Sequence, residues 1–210
     1  MGGPMEIRDV RAVLFDMDGT LVDSDAVVDR CWSRWAIEYG LSPAEVLAVA
    51  HGNPAAATVA QFLPDASADE RAAAWARVYA LEVEDVDGVV AKPGAVELIA
   101  TLERIGMPWA VYTSAPAQLA KVRLTAGGIA PSVLVTVDDV SRGKPDPEGY
   151  LRAAELLGVP VTECLVVEDT VVGLSAGRAS GALTAGLKGV PADIELPDLH
   201  RLDRLFQGLE

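Results

Sequence analysis

Residues 10–24 read VRAVLFDMDGTLVDS. The first six are mostly apolar and rich in β-branched side chains, which predicts a short buried strand. The apolar pattern stops at Asp16, and Met17-Asp18-Gly19-Thr20 follows as a loop carrying a glycine. Two residues apart on an extended chain, the side chains of Asp16 and Asp18 would share one face. A local turn re-aims Asp18, and Gly19 permits one.

Downstream, the character changes twice. From Asp23 to about Asp87 strand-like runs vanish and Ala-rich helical periodicity takes over. Helices are predicted over 25–39, from Ser42-Pro43, over 55–62 after Asn53-Pro54, and from the capping box Ser67-Ala-Asp-Glu70 to about Val83. After Asp87-Gly88 strands and helices alternate. Strands are expected at 108–113, 133–137, 164–168 and 182–185, with a last one near Ile194. Helices are expected at 95–104, 116–126, 147–157, 171–180 and 198–207, with Asp146 as an N-cap only. Regular β-then-α order implies an α/β fold, a doubly wound parallel sheet with helices on both faces. The helical block then reads as an inserted, smaller α-helical domain over 23–90, with the core formed by 1–22 and 91–210.

The 210 residues, half of them hydrophobic, suffice for one such core and a small insertion. No apolar run approaches the roughly 20 residues of a membrane span, and no charged-then-apolar leader opens the sequence. A cytoplasmic chain with no membrane partner is expected. The formal charge of −14 repels polyanions, so no nucleic acid partner is expected either. Cys31 and Cys164 are too few for a disulfide framework and read as small buried apolar residues.

Open α/β sheets bind ligands beyond the carboxyl ends of their strands. Strand 1 ends in Asp16 and Asp18; the second ends in Thr113-Ser114. Gly143-Lys144-Pro145 follows the third, and the fourth ends in Glu168-Asp169. Carboxylates gathered on one rim repel one another and need a cation. Oxygen donors select a hard ion, Mg²⁺ being usual where phosphates are handled. Lys144 then supplies a positive charge for a phosphate oxygen, and Thr113 a hydrogen-bond donor.

DMDGTLVDS, the Thr-Ser pair, GKPDP and VVED, in that order, resemble the four motifs of the haloacid dehalogenase superfamily, through essentially the whole chain. The helical block is similar to that family's first type of cap. HG-N-P at 51–54, Pro93-Gly94 and ED-x₃-G at 168–173 resemble its sugar-phosphate phosphatases. The resemblance implies a phosphatase acting on small-molecule phosphate esters, sugar or polyol phosphates, as a monomer or homodimer. It makes Asp16 the nucleophile and Asp18 the acid that protonates the leaving group and then activates water. It assigns Mg²⁺ to the Asp16 carboxylate, the Asp18 backbone carbonyl and Asp169, with Glu168 bound directly or through water. It gives the phosphate to Thr113 and Lys144, joined by N–H groups near Gly19, Thr20 and Ser114.

Dehalogenases of the superfamily lack the second acid that Asp18 supplies. Mutases of the β-phosphoglucomutase type share both aspartates, but carry a His where this chain has Val28, which favours hydrolysis here. A non-catalytic binding protein of the same fold is the remaining alternative. Specificity is expected in the cap, with His51, Gly52 and Asn53 the candidate contributors. His51 reads equally well as a buried, hydrogen-bonded cap residue. Trp32, Trp35 and Trp75, at helical spacing, are expected in the cap core.

Overall fold

Strand β1 (Ala12–Phe15) is buried at every position, which places it inside a sheet covered on both faces. The computed structural model describes residues 6–51 and 53–208. Two compact units account for the chain, one from Ser24 to Val89 and one comprising everything up to Asp23 and from Val90 onward.

In the larger unit, β1 is flanked by β4 (Trp109–Tyr112) and β6 (Cys164–Glu168), with β5 (Leu134–Val135), β7 (Leu183–Gly186) and β8 (Ile194–Glu195) outside them. The six-stranded sheet runs in the order β5-β4-β1-β6-β7-β8, and every pair in it is parallel. The register sets Leu14 opposite Ala110 and Val166. Even-numbered residues Ala12, Leu14, Ala110, Tyr112, Cys164 and Val166 build one face of the core with Tyr150, Ala153 and Ala154 of α7 (Glu148–Leu157) and Ala176 of α8 (Val171–Ser180). The odd-numbered set, Val13, Phe15, Val111, Leu165 and Val167, fills the other face and is equally buried. Each such side chain is worth roughly 1.5–3 kcal/mol of transfer free energy. Helices α5 (Ala95–Arg104) and α9 (Leu199–Gln207) pack on one another, and α6 (Ala117–Ala126) follows β4.

Two details differ from the sequence reading. The third strand is only two residues long, because Thr136 and Asp139 form a reciprocal cap that turns Val137–Asp139 into a helical turn. A short antiparallel pair, β2 (Val22–Asp23) with β3 (Val90–Ala91), escaped the pattern altogether. It is reinforced by Lys92, whose Nζ is 3.0 Å from Asp23 Oδ2, and it ties Asp23 and Val90 to the larger unit.

The helical unit holds α1 (Asp25–Glu38), α2 (Pro43–Ala50), α3 (Ala55–Phe62) and α4 (Ala68–Glu84). Ser67 and Glu70 form the expected capping box on α4. Ser42 precedes Pro43 at the N-cap of α2, but its side chain makes no capping bond. Trp35 is fully buried and donates to the Ala74 carbonyl at 2.9 Å, joining α1 to α4. Trp32 packs edge-on against it, while Trp75 is only half-buried and stacks on Tyr79. Among the described residues no helix is long and apolar enough to cross a membrane.

Trp35→Ala removes both the ring and that hydrogen bond. It is expected to cost about 3–5 kcal/mol, read as a lowered urea midpoint by circular dichroism.

Candidate active site

The parallel ladder carries Asp16 and Glu168 to the same sheet edge. The Asp16 N–H donates to the Val167 carbonyl at 3.0 Å, so Asp16 follows β1 directly beside the end of β6. Asp169 is next along. Carboxylate oxygens of Asp16, Glu168 and Asp169 lie within 4.8 Å of one another, and all three residues are buried.

Lys144 is inserted among them. Its Nζ is 2.5 Å from Asp16 Oδ1 and 2.6 Å from Glu168 Oε1, and it donates to the Tyr112 carbonyl at 3.3 Å. The rings of Tyr112 and Tyr150 flank the ammonium, their centroids 4.9 Å and 5.3 Å away. Tyr150 also donates its hydroxyl to Glu168 Oε1 at 3.0 Å. The other Glu168 oxygen accepts the N–H groups of Asp169 and Thr170 and the Thr170 hydroxyl. Both oxygens of Glu168 thus serve the protein, which suits contact with a metal through water better than direct ligation. Gly173 makes this possible, since a Cβ there would stand 1.7 Å from Glu168 Oε1.

The loop after Asp16 closes on itself. Gly19 donates to Val22 O, and Thr20, Leu21 and Val22 donate to Met17 O. The N–H groups of Gly19 and Thr20 therefore serve the turn. Gly19 has φ 84, and a Cβ on it would stand 2.2 Å from Asp169 Oδ2, so both backbone conformation and space require glycine. The Thr20 hydroxyl donates to Asp169 Oδ1 at 3.3 Å, and Lys188 Nζ is 2.9 Å from Asp169 Oδ2. The carboxylate of Asp18 stands outside the acidic trio; its Oδ2 is 2.9 Å from Nη1 of Arg123, a residue buried on α6. Thr113 is buried at the end of β4, its hydroxyl accepting the Ala115 N–H at 3.1 Å, and Ser114 is exposed.

The candidate cap residues lie in the helical unit. His51 is exposed, not buried, with Nε2 2.7 Å from Asp29 Oδ1. Asn53 donates to the Val49 carbonyl at 2.7 Å, tying off the end of α2, while Pro54 takes the N-cap of α3. Gly52 lies outside the described residues.

Burial, then the charge of Glu168, pushes the Asp16 carboxyl well above the usual carboxylate range despite Lys144. Burial works against the Lys144 ammonium, but Asp16 and Glu168 outweigh it and hold its pKa well above the ordinary lysine value. Burial also raises Asp169, opposed by Lys188. Three carboxyl groups face two ammonium groups. With all three ionised they would exceed the two cations by one negative charge, and oxygen donors at this spacing fit a hard divalent cation.

The family profile described as haloacid dehalogenase-like hydrolase matches residues 10–181. The chain belongs to that family. This hydrolase is similar to hexitol phosphatase A of Escherichia coli, 41% identical over 95% of this chain and 92% of that one. It is similar to 2-deoxyglucose-6-phosphate phosphatase 1 of Saccharomyces cerevisiae, 33% identical over 83% of this chain and 78% of that protein. Among solved structures it resembles a hydrolase from Pseudomonas syringae, with TM-score 0.73 and 28% identity over 91% of this chain and 90% of that chain.

Four side chains around the hydrolase's site escaped the sequence reading: Arg123, Tyr150, Thr170 and Lys188. Arg123 left a signal: it falls on the apolar stripe of α6 with Leu119, Ala120 and Leu124, where an arginine needs a buried partner. Thr170 left another as the N-cap of α8, its hydroxyl accepting the Gly173 N–H at 3.0 Å. Tyr150 and Lys188 depend on pairings across the fold.

A carboxyl whose folded pKa is raised stabilises the fold while protonated. That contribution is complete below the unfolded value near 4 and is lost as pH rises through the folded value. In metal-free buffer the wild type is therefore expected to lose stability relative to Asp16→Asn as pH rises above the unfolded value near 4, as measured by differential scanning fluorimetry in EDTA. Gly173→Ala is expected to displace Glu168 and cost about 1–3 kcal/mol, measured by urea denaturation.

Proposed function

We propose that this hydrolase is a phosphatase that cleaves phosphate monoesters of sugars or polyols through an aspartyl-phosphate on Asp16, with Mg²⁺ bound. The observation that carries the reading is Asp16 itself, a carboxylate buried at the sheet edge against Lys144 and beside two further acids. The substrate class is supported by relatives named for a hexitol and for 2-deoxyglucose 6-phosphate. Val28 stands where mutases of the same superfamily carry a His, which favours water as the acceptor.

An Asp16 oxygen attacks phosphorus, and the bond from phosphorus to the bridging oxygen breaks. The electron pair stays on that oxygen, which takes a proton from Asp18. Asp18, now a carboxylate, removes a proton from water as the water attacks phosphorus. The Asp16 oxygen leaves, releasing inorganic phosphate. Lys144 lies next to the nucleophile, where its charge favours an ionised Asp16 and offsets charge on a phosphoryl oxygen. Thr113 stands at the neighbouring strand end as the hydroxyl partner of that group. The Asp16 and Asp169 carboxylates and the Asp18 carbonyl would hold the metal, with Glu168 through water. When bound, Mg²⁺ supplies the positive charge that this acidic rim lacks.

Purified protein is expected to release phosphate from p-nitrophenyl phosphate and from hexitol 6-phosphates with Mg²⁺ and to stop in EDTA. Absence of turnover in both conditions would remove the enzymatic reading. Asp16→Asn should lower kcat by about 10⁴-fold or more. With β-glucose 1-phosphate and a bisphosphate primer, free phosphate should accumulate; an isomerised sugar phosphate in its place would establish the mutase.

A further inference from the structure

Helix α6 braces the Asp18 loop at two points. Arg123 lies on its buried stripe, with 5% of the side chain exposed, and Nη1 is 2.9 Å from Asp18 Oδ2. At the helix end a Cβ on Gly127 would stand 2.8 Å from Val22 Cγ1, so the backbone of α6 closes against the residue that completes the loop. Between these points the loop is pinned by its own bonds from Gly19 to Val22 O and from Leu21 and Val22 to Met17 O. The same helix begins just beyond Thr113 and Ser114. One rigid element therefore links the β4 strand end to the Asp18 turn.

An arginine this buried is expensive to desolvate and persists where a carboxylate compensates it. Anchoring the loop would explain the pair in part, but Val22 against Gly127 already supplies an anchor. What the guanidinium adds is direction. A short side chain on a tight turn has several staggered rotamers within reach, and a charged partner on a fixed helix selects one. The selected rotamer keeps the Asp18 carboxylate out of the trio of Asp16, Glu168 and Asp169, where it would be a fourth acid around the metal.

We propose that Arg123 is a positioning residue for proton transfer, holding the Asp18 carboxyl group from α6 at the angle from which, protonated, it meets the bridging oxygen of the ester and then, ionised, the attacking water. This rests on the assignment of Asp18 as acid and base. Arg123 touches neither phosphate nor leaving group. Its loss lets the Asp18 side chain rotate, and a displacement of about 1 Å in such a group lowers a rate by about 10²-fold.

The test is single-turnover cleavage by the full chain with Mg²⁺. It compares p-nitrophenyl phosphate, whose leaving group needs no proton, with an alkyl phosphate that the wild type turns over, glycerol 1-phosphate or glucitol 6-phosphate. Arg123→Met should slow alkyl cleavage by about 10²-fold and change first-turnover nitrophenolate release by less than about threefold. Arg123→Lys should fall between Arg123→Met and the wild type. In an Asp18→Asn background Arg123→Met should add less than about twofold, because a residue acting through Asp18 has nothing left to position. Equal losses on both esters, a multiplicative loss in the Asp18→Asn background, or no loss at all would overturn the proposal. If Arg123→Met does not fold, Arg123→Lys carries the same comparison. Should Asp18→Asn itself lack the selective loss on the alkyl ester, the assignment of Asp18 fails. Should it show that loss while the Arg123 variants do not, Arg123 alone is misassigned.

Discussion

A single ammonium group, that of Lys144, sits between the carboxylates of Asp16 and Glu168, and the rest of the site is arranged around it. The three groups come from parts of the chain far apart in sequence: the end of β1, the loop before α7 and the end of β6. Each is buried, so each would be costly alone. Removing one member of such a buried set typically costs about 3–5 kcal/mol, because the partner is left charged and dry. The contact therefore fixes where the loop carrying Lys144 lies against the sheet. The rings of Tyr112 and Tyr150 close around the ammonium and narrow its freedom further.

Glu168 shows how the same constraint reaches outward. One of its oxygens faces Lys144 and Tyr150, and the other accepts from Asp169 and from Thr170, the N-cap of α8. The carboxylate thus ties the lysine to the start of a helix, and the missing side chain at Gly173 is the space it occupies. Two acids adjacent in sequence take different tasks for this reason. Glu168 is absorbed into the framework, while Asp169 meets Thr20 and Lys188 on the side of the Asp18 loop.

The strand-end acids and the parallel order were legible in the sequence as a local pattern, an apolar run that stops at a charge, repeated at regular intervals, while Lys144 was legible only through its Gly143-Lys144-Pro145 context. The direction of Asp18 was not legible. It depends on Arg123, 105 positions away, and no local rule links the two. Lys188 was invisible for the same reason. The third strand was overestimated because Val133–Val137 is apolar, while the cap between Thr136 and Asp139 wins locally and bends the chain. His51 is an exposed partner of Asp29, a geometry that motif spacing does not encode.

The pairing of Asp23 with Val90 also bears on how such a chain can change over evolutionary time. Opposed residues of an antiparallel pair lie only about 4.5–5.5 Å apart, so the polypeptide leaves the sheet-bearing unit and returns to it at practically one spot. Whatever is spliced between those two residues imposes almost no stretch on the host, and longer or shorter inserts differ little in the entropy of closing the excursion. The helical segment can accordingly be traded as a cassette while the sheet-bearing unit and its acidic cluster are kept.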